Sequence, residues 1–257
     1  MQAQTIIRIK GGEVVTLIAA YRENGIPILL GDFLTSAGGQ PVGQKKKAHL
    51  ISQNLVIAWT GYVLAAQPVL HDLYTEFNAR LVTKSELEHF LKNYPLKNFG
   101  SLDVRLIGWL IDDGQHCFRW NSLYPQELFY DEYHYDGSGD KTFEKLAGPG
   151  SGQGVADKES IKVAIAGSLT LTGKLITDEL LFRRNQSSGF GHAYEILYFD
   201  GEKFKYLDKV MYVLADLLFD ENSKVAKYNH YNTYYKYRND SNHAVIHIRD
   251  REKPKFI

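Results

Sequence analysis

Few side chains in this sequence carry chemistry that its spacing could support. The nine histidines form no HExxH pattern, which leaves a metal hydrolase a distant reading. The single thiol, Cys117, stands in the strand-like run His116-Cys117-Phe118-Arg119-Trp120 and reads as a buried strand residue. That leaves Thr16. Its hydroxyl heads the first strand-like run, VTLIAAYRENGIPILLGD, behind a prefix of residues 1–15. It is either a β-favouring strand threonine or the first residue of a matured enzyme, in which its own freed α-amine would serve as base.

The elements around Thr16 follow from periodicity and turn chemistry. Asn24-Gly25 supplies the positive φ angles of a hairpin turn between two apolar runs. HLIS and LVIAWTG, separated by Gln53-Asn54, predict a second strand pair after the polar segment TSAGGQPVGQKKK. From Tyr62 to Leu81 the period becomes helical, with Leu64, Val69, Leu73, Phe77 and Leu81 on one face and Pro68 in the early turns. Thr83-Lys84-Ser85-Glu86 is a capping box for a second helix ending before Pro95. Strands return at Val104–Ile111 and Cys117–Trp120 around Asp113-Gly114, with a further turn at Asp136-Gly137-Ser138-Gly139. Two helices are expected at 154–167 and 171–184. A hairpin around Asp200-Gly201 follows, then a helix over 208–219. Strands alternating with helix pairs predict an α+β chain, a four-layer α/β/β/α sandwich of two antiparallel sheets flanked by helix pairs.

Composition bounds the partners. Lys plus Arg equals Asp plus Glu at 30 each, so there is no electrostatic footprint for nucleic acid or an anionic membrane. No apolar run approaches a bilayer span of roughly 20 residues. MQAQTIIRIKGGEVV lacks the pattern of a secretory signal, and one cysteine permits no intrachain disulfide; both suit a cytoplasmic setting. The segment 220–257, with YNHYNTYYKYRND, reads as a Tyr-rich extension packed on or beside the domain. Few basic residues accompany its tyrosines, which disfavours base stacking.

Taken together, these runs resemble the proteasome β-type subunits of the N-terminal-nucleophile hydrolases. Five local matches carry the resemblance: Thr16 with its strand, turn and return to Gly31-Asp32; Lys47 in KKKAHLIS; Gly61, fourteen residues later, opening a helix; Gly150-Ser151-Gly152; and Ser187-Ser188-Gly189. They span roughly residues 14–207. The resemblance implies a prefix 1–15 removed by autocleavage, a proteasome-like domain 16–219, and no cofactor. It implies that Thr16 attacks an amide carbonyl with its α-amine as base, that Lys47 lowers the amine's pKa, and that Asp32 holds Lys47. The Gly61 N–H would face the oxyanion; Ser151 and Ser188 would bond the amine and a proton-carrying water. Ser36, Trp59, Thr60 and Val63 would line the substrate site, with Trp59 narrowing it toward small side chains.

Two positions depart from the family pattern. Val15 precedes Thr16 where members carry glycine, and Asn185 stands where they carry an aspartate. Two functions therefore remain open: a threonine-nucleophile peptidase or amidase acting on a peptide or small amide, and a non-catalytic proteasome-like subunit that keeps its prefix. Either implies a homo-oligomer, commonly a ring.

Overall fold

The computed structural model describes residues 16–37, 40–95, 102–147, 156–182, 194–207, 209–220, 225–237 and 244–248. The first hairpin forms as expected: β1 (Ile18–Glu23) and β2 (Ile26–Asp32) turn at Asn24-Gly25, with φ of 49° and 79°. The polar segment after it forms a small two-stranded sheet, β3 (Leu34–Ala37) and β4 (Gln40–Gln44). Next come β5 (Ala48–Ser52) and β6 (Leu55–Gly61), then α1 (Val63–Phe77) and α2 (Lys84–Lys92). The chain continues through β7 (Val104–Ile111), β8 (Gln115–Asn121), β9 (Leu128–Asp131) and β10 (His134–Asp136). After α3 (Asp140–Ala147) and α4 (Lys158–Phe182) come β11 (Tyr194–Phe199) and β12 (Phe204–Tyr206). Last are β13 (Lys209–Asp220), β14 (Val225–Tyr237) and β15 (Ala244–Ile248).

The chain is α+β, with two five-stranded antiparallel sheets and four helices among the described residues. One sheet runs β10-β1-β2-β11-β12 and the other β5-β6-β7-β8-β9. Strand alternation sorts the core. Leu55, Ile57 and Trp59 of β6 pack with α1 and α2, while Val56 and Ala58 face β1 and β2. On the far side of the first sheet, Phe143 of α3 and Ala164, Leu171 and Leu175 of α4 complete the same cluster. This layering is compatible with the expected four-layer sandwich. The Trp109 Nε1–H donates to the Ile28 carbonyl at 2.9 Å, a direct bond from β7 to β2 across the sheets. Cys117 is buried in this interior and its thiol is pushed up by burial, as an inert strand residue should be.

Several expectations need correction. Residues 158–182 form one continuous helix, not a pair broken at 168–170. A Cβ at Gly167 would fall 2.5 Å from Glu23 Oε1, the end of a flexible side chain that can move aside. Residues 209–220 form strand β13, not a helix. The run KVMYVLADLLFD is ambiguous by pattern, and its pairing with β14 along its whole length decides the outcome. The three-stranded sheet β13-β14-β15 begins at Lys209. The first long helix stops at Phe77, and Leu64 and Leu81, assigned to its buried face, are 71% and 68% exposed. The capping box at Thr83 is present: the Glu86 N–H donates to Thr83 Oγ1 and the Thr83 N–H to Glu86 Oε2.

Two inward-facing histidines are kept neutral. Burial and the Lys46 charge push His49 down to about 3. Burial and the Arg119 charge push His134 down to about 4. A histidine depressed in the folded chain takes up its proton first in the unfolded chain, so stability falls as pH drops below about 6.5. We expect each to cost about 1–2 kcal/mol between pH 7 and pH 5. Urea titrations at the two pH values should show that loss, and His49→Gln and His134→Gln should each flatten it; a pH-independent midpoint would refute the assignment.

Candidate functional site

Three separate segments bring Thr16, Asp32 and Lys47 together. Thr16 lies two residues ahead of β1, Asp32 ends β2, and Lys47 immediately precedes β5. The Asp32 N–H donates to the Leu17 carbonyl at 3.0 Å, tying the two strand ends. The Trp59 N–H donates to the Lys47 carbonyl at 3.2 Å, and the Lys45 N–H to the Phe33 carbonyl at 2.7 Å. Gly31 permits the approach, since a Cβ there would meet Ala48 Cβ at 3.3 Å and Lys47 Cβ at 3.6 Å.

At the centre, the Thr16 hydroxyl donates to Asp32 Oδ1 at 2.8 Å. Lys47 Nζ donates to the same oxygen at 2.5 Å and also to Thr16 Oγ1. Thr16 and Asp32 have no solvent exposure and Lys47 has 2%. Burial pushes the Lys47 ammonium below the ordinary lysine range, and the Asp32 carboxylate opposes that shift. The hydroxyl thus donates a hydrogen bond to a carboxylate and accepts one from an ammonium.

The Thr16 backbone is held as firmly. Its N–H donates to Ser138 Oγ at 3.1 Å, and the Ser138 hydroxyl lies 3.3 Å from the Thr16 carbonyl. The Gly139 N–H donates to that carbonyl at 3.2 Å. Sequence reading took Gly137-Ser138-Gly139 only as part of a turn; it opens α3, and the Gly-Ser-Gly pattern was the available signal. A helix, α3, begins here at Asp140. Ser151, Asn185 and Ser188 lie outside the described residues, as does the prefix 1–15.

The remaining candidates gather at the end of β6. Gly61 has φ of 107°, and a Cβ there would fall 2.4 Å from the Asp103 carbonyl, so close backbone packing alone requires glycine. Trp59 is 3% exposed, packs on the helix side of the sheet, and donates its Nε1–H to the Lys46 carbonyl at 3.1 Å. Thr60 is fully buried, and its hydroxyl has no hydrogen-bond partner among the described residues. Val63, half-buried, starts α1. Ser36 lies on β3 opposite Pro41, at a register irregularity.

Among the described residues no group of His, Cys, Asp or Glu could hold a metal ion, and no helix is long and apolar enough to cross a membrane. No protein-family model matches the chain, and no curated protein matches it.

Gly137 packs against the Thr16 backbone. Its φ is 108°, and a Cβ would fall 2.2 Å from the Thr16 carbonyl oxygen. Gly137→Ala should therefore destabilise the protein by about 2–4 kcal/mol. Gly173→Ala, in the middle of α4 with nothing within 4 Å of its Cβ, should stabilise it by about 0.5–1 kcal/mol. Chemical denaturation of the two variants checks both signs.

Proposed function

We propose that this protein is a proteasome-like threonine-nucleophile hydrolase of amide or peptide bonds, activated by cleavage before Thr16. One observation carries the reading: Thr16, Asp32 and Lys47, singled out by resemblance, meet in a buried hydrogen-bonded cluster. Packing alone gives no reason to bury a lysine and an aspartate against a threonine hydroxyl, because desolvating both ions is costly.

In maturation, Thr16 Oγ attacks the Val15 carbonyl and the Val15–Thr16 amide becomes an ester; water then hydrolyses the ester. That releases residues 1–15 as an acid and frees the Thr16 amine. The hydroxyl proton leaves along the bond to Asp32 and ends on the nitrogen that departs. In the mature form the amine takes the hydroxyl proton, Oγ attacks the substrate carbonyl, and the amine delivers the proton to the leaving nitrogen. Lys47 stabilises the developing oxygen charge, and Ser138, beside the Thr16 nitrogen, orients the amine. The Gly61 N–H is the candidate oxyanion donor.

A second reading has its own support. Here the Thr16 nitrogen is an amide that donates to Ser138, and the residue has no exposure. With Val15 before it and Asn185 at the family's aspartate position, the chain would serve as a non-catalytic, oligomeric proteasome-like subunit that keeps its prefix.

Intact mass of the purified protein, followed over days, separates the two. The hydrolase loses residues 1–15, Thr16→Ala keeps them, and Lys47→Ala slows cleavage and peptide turnover by about 10²-fold or more. A full-length mass that persists in the assembled oligomer, without turnover of peptide amides, would sink the hydrolase reading.

A further inference from the structure

Lys45-Lys46-Lys47 presents three consecutive ammonium groups to a site that seats one. A slip of one residue in an extended segment exchanges the faces of neighbouring side chains. The β5–β6 pairing begins at Ala48 and shifts register between Leu50 and Ser52, and ahead of it only the Lys45 N–H to Phe33 and the Lys47 carbonyl to Trp59 tie the lysine run backbone to backbone among the described residues. What distinguishes Lys46 from Lys47 is a second buried carboxylate. Glu195 of β11 stands opposite Gly31, one residue before Asp32 on the neighbouring strand. It has no solvent exposure, and its Oε1 lies 3.0 Å from Lys46 Nζ. That ammonium also sits 4.1 Å over the Tyr206 ring, while the Lys46 carbonyl accepts the Trp59 indole N–H at 3.1 Å. Lys45 is exposed. The sheet end thus holds two parallel ion pairs, Lys46–Glu195 and Lys47–Asp32.

We propose that Glu195 is a positioning residue: by engaging Lys46 from the neighbouring strand, it assigns Lys47 alone to Thr16 and Asp32. The inference rests on reading that cluster as a reaction centre. A buried carboxylate is expensive as a packing element, since an apolar residue of similar volume would serve the core as well or better. As a selector it does what an apolar residue cannot, removing one of two equivalent cations from competition.

Trace acetylation of the folded full-length chain, read lysine by lysine by mass spectrometry, tests this. In the wild type Lys45 should label while Lys46 and Lys47 stay protected. In Glu195→Gln the two lysines compete for Asp32, and labelling of both, Lys47 included, should rise about fivefold or more. In the double variant Lys46→Met, Glu195→Leu the pair and the competitor are both gone, and Lys47 should stay as protected as in the wild type. Unchanged Lys47 protection in Glu195→Gln overturns the proposal. So does equal loss of protection in both variants, which would mean that Glu195 only supports packing. If Glu195→Gln does not fold, Glu195→Asp, which keeps the charge one methylene shorter, should raise Lys47 labelling by a smaller factor; no rise overturns the proposal. Activity gives a separate arm. Adding Glu195→Gln to Lys47→Ala should recover about tenfold of the lost prefix cleavage or turnover, because Lys46 can then take the seat. A wild type that neither cleaves nor turns over peptides defeats the reaction-centre reading, while the labelling still decides which lysine Glu195 holds.

Discussion

The contact on which this architecture turns is the buried bond set among Asp32, Lys47 and Thr16. An ion pair taken out of water must have good geometry and its remaining hydrogen-bonding capacity filled, or it costs more than it returns. Here the Thr16 hydroxyl supplies part of that capacity, bonded to the carboxylate and to the ammonium. Removing one partner of such a pair typically costs about 3–5 kcal/mol. That requirement fixes the beginning of the first strand, the end of the second and the approach to the fifth at one point. The close packing over Gly31 and the Leu17–Asp32 backbone bond follow from it.

The two sheets hold that point from both sides. Asp32 belongs to the first sheet and Lys47 enters the second, so the ion pair forms only when the sheets face each other in the right register. The Trp109 indole bond to Ile28 and the fully buried Ile18, Ala19 and Ala20 of β1 and Ile28, Leu29 and Leu30 of β2 make that facing rigid. Ser138, brought in where β10 pairs with β1, closes the third side. Two hydroxyls, a carboxylate and an ammonium thus come from four chain segments. Functional sites built this way are positioned by the scaffold and not by a local motif.

What could be read from the sequence was local or strongly periodic. Asn24-Gly25 has one conformational use between apolar runs, and Thr83 to Glu86 is a cap with its own reciprocal bonds. Thr16, Asp32 and Lys47 were picked out by resemblance and not by their local pattern, and the fold brings the three into contact. Ser138 was not, since a Gly-Ser-Gly run serves turns as well as sites, and only the β1–β10 pairing shows which one faces Thr16. The run 209–220 failed for the same reason. Its residues suit a helix or a strand, and the deciding partner lies farther along the chain, in β14.

The charge balance of the site bears on what freeing the Thr16 nitrogen would do. As an amide it is uncharged, and Lys47 with Asp32 sums to zero. Lys46 with Glu195 sums to zero beside them. A freed amine would bring a possible third cation into a region where burial already disfavours the Lys47 charge. Both burial and the neighbouring ammonium push such an amine toward its neutral form. Neutral, it is a base with a lone pair, and the Ser138 hydroxyl that now accepts the amide N–H lies at the distance needed to orient it. Were the Val15–Thr16 bond cut, the groups already gathered around the Thr16 hydroxyl would face a neutral amine in place of an amide.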